Sequence, residues 1–96
     1  MKIEYQNKNG NLNVTLEGRL DTISAPEFER IINANCGGIQ ALTIDCEKLV
    51  YISSAGLRVL LSAQKKMKGS MKLTNVCELF MEVFEMTGFA DILVIE

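Results

Sequence analysis

Between Ala41 and Met67 the spacing of apolar side chains changes from every second residue to every third or fourth, and the change falls on the pair Ser53-Ser54. Upstream, Ala41-Leu-Thr-Ile-Asp-Cys46 alternates as a half-buried strand does, and Leu49-Val-Tyr-Ile52 carries the apolar path forward. Downstream, Leu57, Leu60, Leu61 and Gln64 recur at i, i+3, i+4 and i+7, which is one face of a helix spanning roughly Ser54 to Met67. The pattern therefore demands a strand-to-helix junction with two hydroxyls at the helix start. The first turn of a helix leaves N–H groups unpaired and carries the positive end of the macrodipole, so it favours an oxygen acceptor and accommodates an anion such as a phosphate. An N-cap serine and a phosphoserine both fit this position, and composition does not decide between them.

The remaining elements follow from the same periodicities. Lys2 to Asn7 and Leu12 to Glu17 alternate and are separated by Asn9-Gly10, which predicts an opening antiparallel hairpin. Ser24-Ala-Pro-Glu27 combines a capping serine, a first-turn proline and a glutamate three residues after the cap, so a helix is expected from about Ala25 to Asn35. Phe28, Ile31, Ile32 and Asn35 mark its face, and Gly37-Gly38 ends it. Met71 to Asn75 reads as a further strand. Cys77 to Met86 reads as a third helix with Leu79, Phe80, Val83 and Phe84 on one side, Gly88 as its stop and Ile92 to Ile95 as a last strand. The expected class is α/β with a mixed, α+β-like sheet: an N-terminal antiparallel hairpin, then βα units with right-handed crossovers, about five strands and three to four helices in one domain over 1–96.

Composition narrows the function classes. Ten Lys and Arg against twelve Asp and Glu give a net charge of −2, and no aromatic residues interleave with the basic ones, so no direct nucleic-acid binding is expected. The Lys65-Lys66-Met67-Lys68 cluster reads as a solvated helix end. No apolar run approaches the ~20 residues that span a bilayer, and the N-terminus has no signal-peptide core, which points away from a membrane and towards the cytoplasm. Cys36, Cys46 and Cys77 are widely spaced, and the chain has no histidine to complete a zinc site, so neither metal nor cofactor is expected. A serine nucleophile would also lack its usual base, which argues against an enzyme.

Leu16-Glu-Gly-Arg-Leu-Asp21, the Pro26-containing helix, the apolar strand running to Asp45 and Tyr51-Ile-Ser-Ser-Ala-Gly-Leu57 resemble, in this order and spacing, the STAS domain of bacterial anti-sigma-factor antagonists. The resemblance covers nearly the whole chain. It implies a small cytoplasmic switch protein that binds an anti-sigma factor with serine kinase activity when unphosphorylated, and so releases a sigma factor, with a serine phosphatase as a second partner. Aligned on Gly56-Leu57, the phosphoacceptor position falls on Ser54, the family's acidic position on Ser53 and its following hydroxyl on Ala55. This sequence departs from the pattern at both flanks, so a constitutive STAS-type module without regulated phosphorylation stands as the alternative. The resemblance further implies a partner-binding surface of Asp21, Thr22, Ser53, Ser54, Ala55, Gly56 and Arg58. Asp21 also reads as an ordinary turn residue. The resemblance also implies an additional C-terminal helix, which is not found before Glu96, so the surface it covers in the family is expected to be exposed or used for association.

Overall fold

The computed structural model describes residues 1–96. Four strands, β1 (Lys2–Lys8), β2 (Asn11–Leu20), β3 (Ala41–Ile52) and β4 (Met71–Thr74), form one sheet in the order β1-β2-β3-β4. Helices α1 (Ala25–Asn35), α2 (Ser54–Lys66) and α3 (Glu78–Thr87) connect or follow them, and a short 3₁₀ turn covers Phe89–Asp91. The hairpin is antiparallel, closed by Asn9 and Gly10, both at positive φ, whereas β2 pairs with β3 and β3 with β4 in parallel. The expected mixed sheet with an antiparallel first neighbour is thus present.

Because the strand order runs in one direction, right-handed crossovers put both connecting helices on the same face of the sheet. Burial agrees with this one-sided cover. Leu12, Val14 and Leu16 on β2, Leu42, Ile44 and Cys46 on β3, and Met71 and Leu73 on β4 are buried. Thr15, Thr43, Asp45, Lys72 and Thr74, at the alternate positions, are only half-buried. The covered face meets Ala25, Phe28 and Ile32 of α1, Leu57, Val59, Leu60 and Ala63 of α2, and Phe80 and Phe84 of α3 in a single apolar cluster. Burial also pushes the Cys46 thiol up to about 12, so this cysteine is a core side chain and not a reactive one.

Three local expectations change. The two apolar pieces of the central strand are one 12-residue strand, β3, whose pairing slips by one residue between Thr15 and Glu17 and again between Gly18 and Arg19. Each slip is a β-bulge. The first turns the chain over, so that Leu49 points into the core although it is an odd number of residues from Cys46. The last strand shrinks to a single parallel bridge between Leu73 and Ile95, because the Phe89–Asp91 turn consumes the residues before it. On α3, Phe80 and Phe84 alone are fully buried, with Met81 and Val83 packed partly against the core, while Leu79 is 64% exposed.

The close approach of α2 to β2 sets the position of the helix start. A Cβ on Gly56 would lie 2.7 Å from Leu20 Cγ and 3.1 Å from the Leu20 carbonyl oxygen, and Leu20 is fully buried with no room to retreat. Gly56→Ala gains helix propensity of about 1 kcal/mol, but the overlap outweighs it. The variant is expected to lose about 1–3 kcal/mol in chemical denaturation, and a variant as stable as the wild type would show that α2 shifts freely.

Candidate functional site

Leu20 at the end of β2 pairs with Ile52 at the end of β3, and because the two strands are parallel their carboxyl ends lie side by side. Residues 21–24 leading into α1 and residues 53–56 opening α2 are therefore neighbours, though about thirty positions apart in sequence. The Ser53 N–H donates to the Leu20 carbonyl at 2.8 Å and ties the two ends together.

The two serines have different jobs. Ser53 is in the extended region at φ −96°, ψ 173°, and its Oγ accepts from the Gly56 N–H at 3.3 Å, so Ser53 is the N-cap of α2. Its carbonyl takes the Leu57 N–H at 2.9 Å. Ser54 is the first helical residue; it is exposed, and its hydroxyl takes part in none of the chain's side-chain hydrogen bonds. The N–H groups of Ser54 and Ala55 stand at the open end of the helix with no carbonyl four residues back to bond. Of the serine pair, then, only Ser54 presents a free hydroxyl.

The start of α1 differs from the capping box expected at Ser24. Ser24 has helical backbone angles and makes no cap bond from its side chain. The residue is only 9% exposed, and its Oγ turns backward instead, accepting from the Asp21 N–H at 2.9 Å and donating to the Arg19 carbonyl at 2.7 Å. The capping role passes to Asp21, whose Oδ1 accepts from the N–H groups of Ile23 at 3.0 Å and Ser24 at 3.1 Å. The reason is that residues 21–24 already form a turn, with the Ala25 N–H bonded to the Asp21 carbonyl at 2.8 Å, so the unpaired donors lie one turn earlier than the proline suggests. These bonds, those from the Ser24 and Ile23 backbones together with the Ser24 hydroxyl, and the nearby Arg19 guanidinium, hold the Asp21 carboxyl below the ordinary carboxylate range. Asp21 therefore shapes the turn that displays Thr22 and Ile23.

Around this junction the structure brings all seven sequence-predicted residues together. Thr22, Ala55 and Arg58 line a groove of about 470 Å³ between α1 and α2, and Gly56 lies buried beneath it against Leu20. The groove also uses Ala25, Pro26 and Glu29 from the α1 side and Val59 and Ser62 from α2. Sequence reasoning passes over Ile23, which is 89% exposed beside the groove. An apolar residue ahead of a capping serine ordinarily reads as a staple packed onto the helix; only the earlier turn, capped by Asp21, turns it outward. Arg19 and Tyr51 border the junction from the strands, the guanidinium lying 4.2 Å from the ring centroid. Beyond the groove, no group of three or more Cys, Asp or Glu is arranged to hold a metal ion.

Asp21 carries a pH signature with a definite sign. Its pKa is lower in the fold than in the unfolded chain, near 3.9, so the ionised carboxylate contributes stability above about pH 4 that is lost as the pH falls through the folded value. Asp21→Asn keeps an acceptor oxygen without the titration. The gap in thermal stability between wild type and Asp21→Asn is expected to narrow as the pH falls from about 6 to about 3; a gap that is constant over this range would separate Asp21 from the acid sensitivity of the fold.

Comparison with known proteins identifies the family and the fold. The profile of the STAS domain matches residues 2–96. The chain is 34% identical over 96 residues to BtrV of Bordetella bronchiseptica, which carries the designation of an anti-sigma factor antagonist, covering 96% of this chain and 83% of that protein. It is 34% identical over 97 residues to the anti-sigma-B factor antagonist of Bacillus subtilis, covering 97% and 88%. An anti-sigma factor antagonist from Mycobacterium paratuberculosis superimposes with a TM-score of 0.86 at 22% identity, over 98% of this chain and 83% of that one. The Bacillus cell fate determinant SpoIIAA in its phosphorylated form superimposes with a TM-score of 0.78 at 17% identity, over 99% and 91%. By its sequence along almost its whole length, and by a fold shared with these structures, the chain belongs to the STAS domain family of anti-sigma factor antagonists.

Proposed function

We propose that this protein is an anti-sigma factor antagonist whose grip on its partner is switched by phosphorylation of Ser54. The observation that carries the reading is the division of labour at the start of α2: Ser53 supplies the cap, which leaves the Ser54 hydroxyl exposed and unbonded on the surface. The partner is an anti-sigma factor with serine kinase activity, a serine phosphatase resets the switch, and the setting is the cytoplasm. The names of the two curated relatives support the antagonist role, and SpoIIAA, which shares the fold, exists in a phosphorylated form.

The chemistry is that of an interface switch. A phosphoryl group adds about −1.5 to −2 charges and three acceptor oxygens. At the first helical position it meets unpaired N–H groups and the positive end of the α2 dipole, so the helix tolerates it. The surface around Thr22, Ile23, Ala55 and Arg58 changes sign while the core does not move. An anion pressed against a dry or acidic partner surface costs several kcal/mol, and each ~1.4 kcal/mol is a tenfold loss of affinity.

One observation favours a second reading, a constitutive binding module. The family's acidic position is Ser53, whose hydroxyl is bonded to the Gly56 N–H and offers no carboxylate to an incoming kinase. The intact mass of the protein from its native cells separates the two, since a phosphorylated fraction supports the switch.

Incubation with the cognate kinase and ATP is expected to add one phosphate, measured by mass spectrometry, that is absent from Ser54→Ala and retained in Ser53→Ala. Labelling confined to Ser53 would sink the assignment. Ser53→Ala, which removes the cap, is expected to cost about 1 kcal/mol of stability. Ser54→Asp should weaken binding to the anti-sigma factor in calorimetry while its melting temperature stays near that of the wild type; a large loss of stability would make Ser54 a structural residue.

A further inference from the structure

Two arginines flank the start of α2, and only one of them is free. Arg19 is committed twice, to the Tyr51 ring at 4.2 Å from its centroid and to Asp21 Oδ2, 3.8 Å from its Nε. Arg58 belongs to none of the four ion pairs of the molecule. It is exposed and lines the α2 side of the groove, with Glu29 on the α1 side.

Arg58 stands four residues after Ser54, so the two side chains are neighbours on one helix face, with Cβ atoms roughly 5–6 Å apart. Side chains on a helix lean towards its N-terminus, which inclines the long Arg58 side chain over the turn that carries Ser54. We propose that Arg58 reads the state of Ser54: beside a free hydroxyl it stands on the groove as an unpaired cation for a carboxylate of the partner, and beside phosphoserine it turns to the phosphate. The inference rests on Ser54 being the modified residue. Its consequence is that phosphorylation does two things to the surface at once, adding an anion and withdrawing the groove's only cation, so that Glu29 remains as the charge on the opposite wall. A guanidinium also binds a phosphate through two parallel N–H bonds, a geometry a short aspartate at position 54 reproduces poorly.

The experiment uses the full chain with phosphoserine installed at position 54 by genetic encoding, so no kinase is needed, and follows the second phosphate ionisation by ³¹P NMR. Pairing with Arg58 favours the dianion and holds the midpoint below the ordinary value of about 6. Arg58→Gln is expected to raise it by about half a unit or more, and Arg58→Lys to restore most of the difference. In the phosphorylated wild type the Arg58 Nε–H resonance should move with the same midpoint. Equal midpoints in wild type and Arg58→Gln, or an Arg58 resonance that ignores the titration, would overturn the proposal. Because the phosphate is supplied synthetically, failure of the kinase to label Ser54 counts against the proposed switch and leaves this result standing. Because Arg58 is exposed, its variants are expected to melt with the wild type, and circular dichroism checks that they are folded.

Discussion

Leu20 meets the first turn of α2 in two ways: its carbonyl accepts the Ser53 N–H, and its side chain fills the space a Cβ on residue 56 would need. Parallel pairing of β2 with β3 brings the strand ends together, but a glycine at position 56 lets the helix settle onto them. With the helix start held there, the turn from Asp21 to Ser24 becomes its neighbour, and a groove opens between α1 and α2. A side chain at 56 would lift α2 from Leu20 and separate the residues that the groove unites.

Hydrogen-bond accounting then distinguishes residues that look alike in the sequence. Ser24, Ser53 and Ser54 all sit near helix starts. The Ser24 hydroxyl is spent on Arg19 and Asp21, the Ser53 hydroxyl on Gly56, and the Ser54 hydroxyl on nothing in the chain. Arg19 and Arg58 divide in the same manner, one stacked and paired, the other unpaired. A surface built this way keeps its shape through its bonded members and leaves its unbonded ones available to a partner or a modifying enzyme. Under the proposed switch, no side-chain hydrogen bond of the chain would have to break to admit a charge at Ser54.

Much of the fold is legible in one dimension because each element repeats its own period. Alternation at Leu12, Val14 and Leu16 and at Leu42 and Ile44 marks strands covered on one side, and Phe28, Ile31 and Ile32 mark the buried stripe of α1. Reading fails where the period is broken for a reason lying elsewhere in the chain. The bulges of β3 arise because twelve residues of β3 run beside ten of β2, and nothing within the β3 sequence names its partner's length. Leu79 looks like a core residue by spacing, yet it is exposed, while Phe80 and Phe84 are buried and Met81 and Val83 pack partly against the core. The capping box at Ser24 is a sound local motif that loses to Asp21 because the chain is already turning when it arrives.

The amino-acid sequence alone determined the class of sheet, the hairpin, the three helices and the presence of a hydroxyl pair at a strand-to-helix junction, since the periodicities and turn residues that mark each element, and the order of the elements, are read from residues close together in the chain. It also determined the family, because order and spacing of short motifs survive without any knowledge of contacts. Tertiary structure decided which serine is capped and which is free, which arginine is held, why residue 56 must be glycine and which side chains share the groove with Ser54. The overlap at residue 56, the Arg19–Tyr51 stack and the groove depend on the end of β2 meeting the end of β3 across more than thirty residues of chain, which leaves no periodicity for the sequence to display; the Ser53 cap is a local bond, but the helix start that it closes is placed by the same meeting.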